Sequence, residues 1–437
     1  MKIKTRFAPS PTGALHIGGV RTALFAYLVA RKAGGVFSLR IEDTDRARFV
    51  EGATEDIIKT LKWLGLTFDG EPIYQSERLD LYKEHAKKLI DSGKAYEKDG
   101  AVWFKIDLDG KTSIVDLVRN RKIEFENSTQ KDFVILKSDG YPTYHLAHVV
   151  DDHLVETNPV IRGAEWISSV PKHIQLFKAF GWQVPQYAHL PIILGTDRSK
   201  LSKRHGAKPA SEFRSDGFLP EAILNFMALL GWTPPSGKEI LSLSEMVQEF
   251  DLFDVNNTNA IFDITKLEWM NGEYIRKTEN SNLKVKIRNY LMDISDNTLV
   301  KEGHPSEEEI EKVVPLIKDR IKTLSDIVPL TDFLWEKPEY DKEIFKKLKV
   351  KNCSETLLKI AEKLEKMEKP WNTEIFEKTF RELADSIGAK AGGVFQLIRV
   401  AISGQTVTPP LFESIEIIGE GEVLKRTKEA IEFLQAV

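Results

Sequence analysis

Between residues 5 and 41 the chain reads strand, Pro-rich turn, helix, strand, an order that few folds accommodate. Residues 5–10 form a short strand running into a turn stiffened by Pro9 and Pro11, where Gly13 permits a conformation closed to other residues. From Val20 the apolar positions Val20, Ala23, Leu24, Tyr27 and Leu28 follow helical spacing. Gly34-Gly35 ends that helix, and Val36–Ile41 is the next strand. Such a βαβ unit predicts a parallel sheet with ligands at the strand C-termini. Helices are expected at about 51–64 and 79–92, and 95–140 reads as an insertion of short strands and polar turns. Beyond about Arg276 the sequence is rich in Lys, Glu, Leu and Ile at helical spacing.

At 437 residues the chain has room for roughly three domains. Hydrophobic content of 42% and charged content of 29% fit a soluble globular protein. No apolar run reaches the length of a membrane span, and the N-terminus lacks the core of a signal peptide, so a cytoplasmic location is expected. One cysteine, Cys353, allows neither an internal disulfide nor a cysteine-based zinc site. The net charge of −4 leaves nucleic-acid binding open, because phosphate contacts depend on local charge.

Two separated stretches share one chemistry. Ala8-Pro9-Ser10-Pro11-Thr12-Gly13-Ala14-Leu15-His16-Ile17-Gly18-Gly19 puts an imidazole at a helix start, where free N–H groups and the dipole favour phosphate. Gly18 and Gly19 there are read as letting a nucleotide approach the backbone. Lys200-Leu201-Ser202-Lys203-Arg204-His205-Gly206 puts two lysines three residues apart on a polar loop. Together they can hold a triphosphate while its α-phosphate is attacked. Neither a P-loop nor a Gly-x-Gly-x-x-Gly fingerprint occurs. Arg6, Glu42 and Arg162 stand at strand ends, where a parallel sheet would gather them in one crevice as partners for carboxylates and an ammonium.

The pair of motifs resembles the two ATP motifs of class I aminoacyl-tRNA synthetases, and the wording around the first is that of bacterial-type glutamyl-tRNA synthetases. The resemblance implies an α/β fold: a Rossmann-like parallel-sheet catalytic domain with a short insertion, then a helical stem-contact region and an all-α anticodon-binding domain. The implied divisions are 1–94 and 141–206 for the catalytic halves, 95–140 for the insertion, 207–275 for the stem-contact region and 276–437 for the anticodon domain. It implies catalysis by His16, Lys200 and Lys203, and ATP contacts from Ser10, His16, Gly18, Gly19, Glu165, Ile193, Lys200, Leu201, Ser202, Lys203 and Arg204. Glutamate would meet Arg6, Ala8, Ser10, Glu42, Tyr144, His148 and Arg162, with Glu42 on the α-ammonium and Arg162 on the γ-carboxylate.

ATP as substrate, Mg²⁺, L-glutamate and tRNA-Glu follow as expected partners; zinc, a protein-held metal and a membrane do not, and a monomer is expected. Two positions depart from the wider pattern. Gly19 stands where class I enzymes generally carry a second histidine, and His148 where relatives often have Asn, either donating a hydrogen bond or merely packing. The insertion is shorter than in many relatives, leaving Arg119-Asn120-Arg121-Lys122 for the acceptor stem. The rival readings are a truncated paralogue that glutamylates a modified tRNA base, a glutaminyl enzyme and a catalytically dead RNA-binding relative. The long helical C-terminal third disfavours the first two, and retention of His16, Lys200 and Lys203 the last.

Overall fold

The computed structural model describes residues 2–118, 120–202, 208–293, 305–367 and 371–436. They fall into two compact units: Met1–Arg214 with Phe218–Asn271, and Ser215–Gly217 with Gly272–Val437.

In the first unit, strand β1 (Lys4–Phe7), helix α1 (Ile17–Lys32) and strand β2 (Val36–Ile41) make the predicted βαβ unit, with Arg6 paired in register to Ser38 on the parallel neighbour. Helix α1 forms because its apolar stripe has somewhere to go: Val20, Ala23, Leu24 and Leu28 are fully buried in the core of this unit. Truncating Leu24 to Ala there would remove about 2–5 kcal/mol, the scale for emptying a tightly packed site. Helix α2 (Ala53–Trp63) leads to strand β3 (Ile73–Tyr74), which lies parallel to β2, and helix α3 (Leu79–Asp91) follows.

The insertion does not stand apart from the sheet. Strands β4 (Ala95–Lys98) and β5 (Ala101–Phe104) join β8 (Phe133–Leu136) in an antiparallel sheet of their own. Strand β6 (Lys111–Asp116) hairpins with β7 (Arg121–Glu126), but its end also runs parallel to β10 (Tyr187–Leu190), which in turn pairs with β9 (Val160–Gly163). That four-stranded sheet has the order β7-β6-β10-β9. Helix α4 (Tyr144–Leu154) precedes β9, and helix α5 (Val170–Ala179) connects β9 to β10 as a parallel crossover requires. Strand β11 (Ile193–Leu194) pairs in parallel with β12 (Ala260–Ile261). Helices α6 (Ala210–Ser215), α7 (Pro220–Leu229), α8 (Leu243–Glu249) and α9 (Ile264–Lys277) complete this part of the chain.

The second unit is helical, with no strand among its described residues. Its longer helices are Asn280–Asp293, Glu307–Ile317, Cys353–Lys366, Thr373–Ser386, Ala391–Ser403 and Glu420–Ala436. Sequence signals set their starts: Ser306 and Glu309 form a reciprocal capping box, and the Asn372 side chain accepts from Ile375 N. Leu357, Ile360, Phe376, Phe380, Leu397 and Ile398 make a separate apolar core. Among the described residues no helix is long and apolar enough to cross a membrane.

Candidate active site

His16 occupies the N-cap of α1 in an extended conformation, and its Nδ1 accepts from the backbone N–H of Gly18 at 3.1 Å and of Gly19 at 3.3 Å. An imidazole thus does what Ser or Asp usually does at a helix start. With Nδ1 used as an acceptor, the neutral ring carries its proton on Nε2, available as a donor. Burial holds the His16 pKa below its ordinary value; Glu165 opposes that shift and Lys200 adds to it. Glu165 and Lys200 therefore both lie within electrostatic reach of His16.

The two glycines of this motif also meet side chains of the motif itself. A Cβ at Gly18 would sit 2.9 Å from His16 Cε1 and 3.1 Å from Nδ1, while one at Gly19 would meet Leu15 Cδ1 at 2.7 Å. Gly18 makes room for the capping imidazole itself. Gly13 adopts φ of +143°, the conformation its place in the turn demands. The turn is tied to its surroundings by Glu42 N to Pro9 O at 2.9 Å and Val50 N to Pro11 O at 3.0 Å. Ala8 is half-buried beside it and Ser10 exposed.

The loop after β11 turns tightly. Gly195 N donates to Ser199 O at 2.9 Å, Lys200 bridges back to Leu194, and Leu201 N donates to Ile193 O at 3.2 Å. Ile193 is buried, Leu201 packs on the core, and Lys200 and Ser202 are exposed. Lys203, Arg204, His205 and Gly206 lie outside the described residues, as does Arg119 of the insertion. Asn120 turns with φ of +45°, and Lys122 pairs with Glu124 at 2.8 Å.

Arg21, which the sequence did not single out, links the two motifs. It is buried on α1 and donates to the carbonyls of Leu230 (2.8 Å) and Pro191, the latter two residues before β11. Burial pushes its pKa down to about 10.

The arginines at the strand ends differ sharply. Arg6 Nε and Nη2 meet Asp152 Oδ1 and Oδ2 at 3.0 and 3.1 Å, and Nη1 donates to Ile161 O at 3.1 Å. Arg40 Nη1 reaches the same Asp152 at 2.6 Å and its Nη2 reaches Glu42 at 2.9 Å. Asp152 is held below the usual carboxylate range by Arg6 and Arg40, which outweigh its burial. Glu42 goes the other way: burial raises its pKa despite Arg40 and Arg6. A buried carboxylate in that condition gains from a further cation.

Arg162 is as buried as Arg6, but among the described residues no carboxylate pairs with it. Its Nε donates to His189 Nε2 at 3.1 Å, and Nη1 faces His173 Nδ1 at 3.1 Å, Tyr144 OH at 3.3 Å and His148 Nε2 at 3.5 Å. Nη2 lies 3.4 Å from Trp166 O, and the guanidinium stands over the Tyr187 ring at 5.1 Å. His148 does more than pack: its Nδ1 is 3.1 Å from Asp152 Oδ2, and its ring stacks on Tyr144. His148 and His173 are held well below the ordinary imidazole pKa, first by burial, then by Arg162 on His148 and by His148 and Arg162 on His173. His145, bonded to His173 Nε2 at 3.0 Å, is lowered to about 4, by burial and then by Lys172 and Arg162. A cation ringed by neutral acceptors results.

Sequence reasoning passed over Asp116, Asp151, Asp152, His173 and His189. The one visible signal was Asp151-Asp152, adjacent acids in a helix with no other acid and no Lys or Arg; Asp151 takes Arg78 (3.0 Å), Gln75 (2.8 Å) and Tyr82 (2.8 Å) while Asp152 takes Arg6 and Arg40.

The site combines a helix start capped by an imidazole, a tight turn carrying Lys200, and a buried arginine with no carboxylate partner among the described residues. The chain belongs to the class I tRNA synthetases (E and Q), whose catalytic-domain model matches residues 2–102 and 97–269, with an anticodon binding domain matched at 285–431. Its relatives include the glutamate–tRNA ligase of Dehalococcoides mccartyi, 42% identical over 98% of this chain and 97% of that one. Glutamate–tRNA ligase 2 of Thermoanaerobacter pseudethanolicus is 39% identical over 99% of each. Among solved structures, a glutamate tRNA ligase from Elizabethkingia meningosepticum in complex with its amino acid superposes with a TM-score of 0.87 at 31% identity, covering 99% of both chains. The glutamate-tRNA synthetase of Elizabethkingia anophelis gives 0.84 at 32%, covering 99% of this chain and 100% of that one.

Proposed function

We propose that this chain is a glutamate–tRNA ligase that joins L-glutamate to tRNA-Glu through glutamyl-adenylate. The observation that carries the choice of amino acid is the buried Arg162 guanidinium, which lacks a carboxylate partner among the described residues while Arg6 and Arg40 each have one. Arg162 takes the γ-carboxylate, Glu42 the α-ammonium, and Tyr144 and His148 line the side chain, with Ala8 and Ser10 on the backbone side. Arg6 serves chiefly by holding Asp152 and, through it, His148.

The α-carboxylate of glutamate attacks the α-phosphate of MgATP, and pyrophosphate leaves. His16 donates through Nε2–H to the phosphates, and Lys200 with Lys203 neutralises charge growing on the departing pyrophosphate. Ser10, Gly18, Gly19, Glu165, Ile193, Leu201, Ser202 and Arg204 line the nucleotide, Ile193 against adenine. The 2′-hydroxyl of the terminal adenosine then attacks the glutamyl carbonyl carbon, and AMP leaves. Catalysis is positioning and charge stabilisation, with no covalent bond to the protein. Magnesium enters on the nucleotide.

The finer division follows: catalytic halves at 1–94 and 141–206, an insertion at 95–140 for the acceptor stem, stem contacts from 207–275 and anticodon contacts from 276–437, in a cytoplasmic monomer. ATP–pyrophosphate exchange with tRNA present, compared between wild type and Lys203→Ala, tests the chemistry; a loss of roughly 100- to 1000-fold is expected, the scale of one preorganised electrostatic group. Exchange untouched by Lys203→Ala would refute the phosphate assignment. Charging of purified tRNA-Glu and tRNA-Gln in separate reactions then defines the tRNA.

A further inference from the structure

His189 is the register neighbour of Arg162 across the β9–β10 pair, and Asp116 is the register neighbour of Tyr187, two residues before His189, across β6–β10. All three side chains are buried, and they form a line: Asp116 Oδ2 lies 2.5 Å from His189 Nδ1, and His189 Nε2 accepts from Arg162 Nε at 3.1 Å. The strand supplying Asp116 belongs to the insertion.

We propose that Asp116 and His189 are positioning residues for substrate choice: Asp116 fixes His189 as the Nδ1–H tautomer, whose Nε2 lone pair holds Arg162 turned toward a carboxylate ligand. The inference rests on the reading that Arg162 meets the γ-carboxylate. A carboxylate bonded directly to Arg162 would compete with the substrate for it. A neutral imidazole between the two transmits orientation while keeping the Asp116 charge one ring further away, where its Coulomb attraction is weaker. The guanidinium is thereby held in place yet left short of a counter-ion, so a ligand with a carboxylate gains much more than one with a carboxamide.

The geometry also predicts how Asp116→Asn fails. Asp116 Oδ1 accepts from Val118 N at 3.1 Å and lies 3.5 Å from His189 N, so the oxygen of an asparagine must stay on that side. Its NH₂ then faces His189 Nδ1 and drives the imidazole proton to Nε2, where it opposes the Arg162 Nε–H. Shape is kept and the hydrogen-bond direction is reversed.

The experiment is tRNA-dependent pyrophosphate exchange on full-length protein, reading KM for glutamate, KM for ATP and the inhibition constant of glutamine as competitor. Asp116→Asn and His189→Leu should each raise the glutamate KM by about 10- to 100-fold, the equivalent of losing one charge-assisted contact, with the ATP KM and the glutamine constant within about threefold of wild type. His189→Gln, whose amide can donate to Asp116 and accept from Arg162, should stay within about threefold for glutamate. In glutamate KM, Asp116→Asn combined with His189→Leu should be no weaker than His189→Leu alone, since the proposed effect of Asp116 on Arg162 passes through the imidazole. If Asp116→Asn fails to fold, the contrast between His189→Leu and His189→Gln decides. Variants that lower stability or kcat without changing the glutamate-to-glutamine ratio would overturn the proposal. Should Arg162→Gln weaken glutamate far more than glutamine while Asp116→Asn and His189→Leu leave glutamate binding untouched, the positioning role is wrong and the γ-carboxylate reading survives. Should Arg162→Gln weaken both amino acids equally, that reading falls and takes this one with it.

Discussion

Arg6 lies against Asp152 in a two-point pair, Nε to Oδ1 at 3.0 Å and Nη2 to Oδ2 at 3.1 Å, with both groups buried. Its Nη1 is spent on Ile161 O. The two strand-end arginines therefore differ: Arg6 is paired with a buried carboxylate, and among the described residues Arg162 is not.

Arg6→Gln should therefore be a stability variant. It strips Asp152 of its closest two-point partner and leaves a buried charge with Arg40 and His148 alone, a loss of about 3–5 kcal/mol. Thermal denaturation of Arg6→Gln and Arg162→Gln side by side is the check; equal stability of the two would contradict this assignment.

Arg162→Gln should be a binding variant. Removing the charge should weaken glutamate by a few kcal/mol, the scale for breaking a buried charge-assisted pair, and weaken glutamine far less. Titration of both amino acids by calorimetry in the presence of tRNA reads the difference directly.

The space at Gly18 predicts an asymmetry with Gly19. A methyl group at position 18 collides with the His16 ring, so Gly18→Ala should dislodge the cap and cost about 1 kcal/mol of helix stability. Pyrophosphate exchange should fall by about 100-fold, as for a misplaced catalytic group. Gly19→Ala meets the apolar side chains of Leu15 and Phe7 and does not touch the imidazole, so exchange should fall much less. Identical losses would mean that the glycines serve the ligand and not the histidine.

Histidine 145, 148 and 173 should make stability fall in mild acid. Their folded pKa values lie below the ordinary 6.5, so the unfolded chain binds protons first as pH drops. The stabilisation is complete above about pH 6.5 and declines by up to about 1.4 kcal/mol per pH unit for each histidine, continuing for His145 to about 4. Melting temperature against pH should slope downward below 6.5, and His145→Gln should flatten that slope. A flat profile in wild type would show that the imidazoles are already charged.

The two periodic patterns at the start of the chain were enough to read β1, α1 and β2, because burial of Val20, Leu24 and Leu28 depends on spacing that sequence displays. His16 was legible for a similar reason: a capping position is local. Asp116 and His189 were not, since they lie 73 residues apart and meet through strand register, which no single segment encodes. Arg6 and Arg162 looked alike in sequence because both end a strand; what separates them is Asp152, delivered from a helix 146 residues beyond Arg6. The room that Gly18 leaves for the His16 ring was not legible, for want of the side chain lying over it.

Strand β6 sets a limit on exchanging the insertion between related chains. The β6–β7 hairpin is the part of the insertion open to exchange, whereas the sheet of β4, β5 and β8 is not, because Phe104, Phe133 and Ile135 share a buried core with Tyr82, Leu146 and Val149. A graft whose boundary falls before Leu117 removes a rung of the parallel sheet together with the carboxylate beside His189. Chimaeras should therefore tolerate junctions between β6 and β7 and lose amino-acid selectivity when the seam is moved upstream of Lys111, even if the foreign segment carries its own intact stem-binding surface.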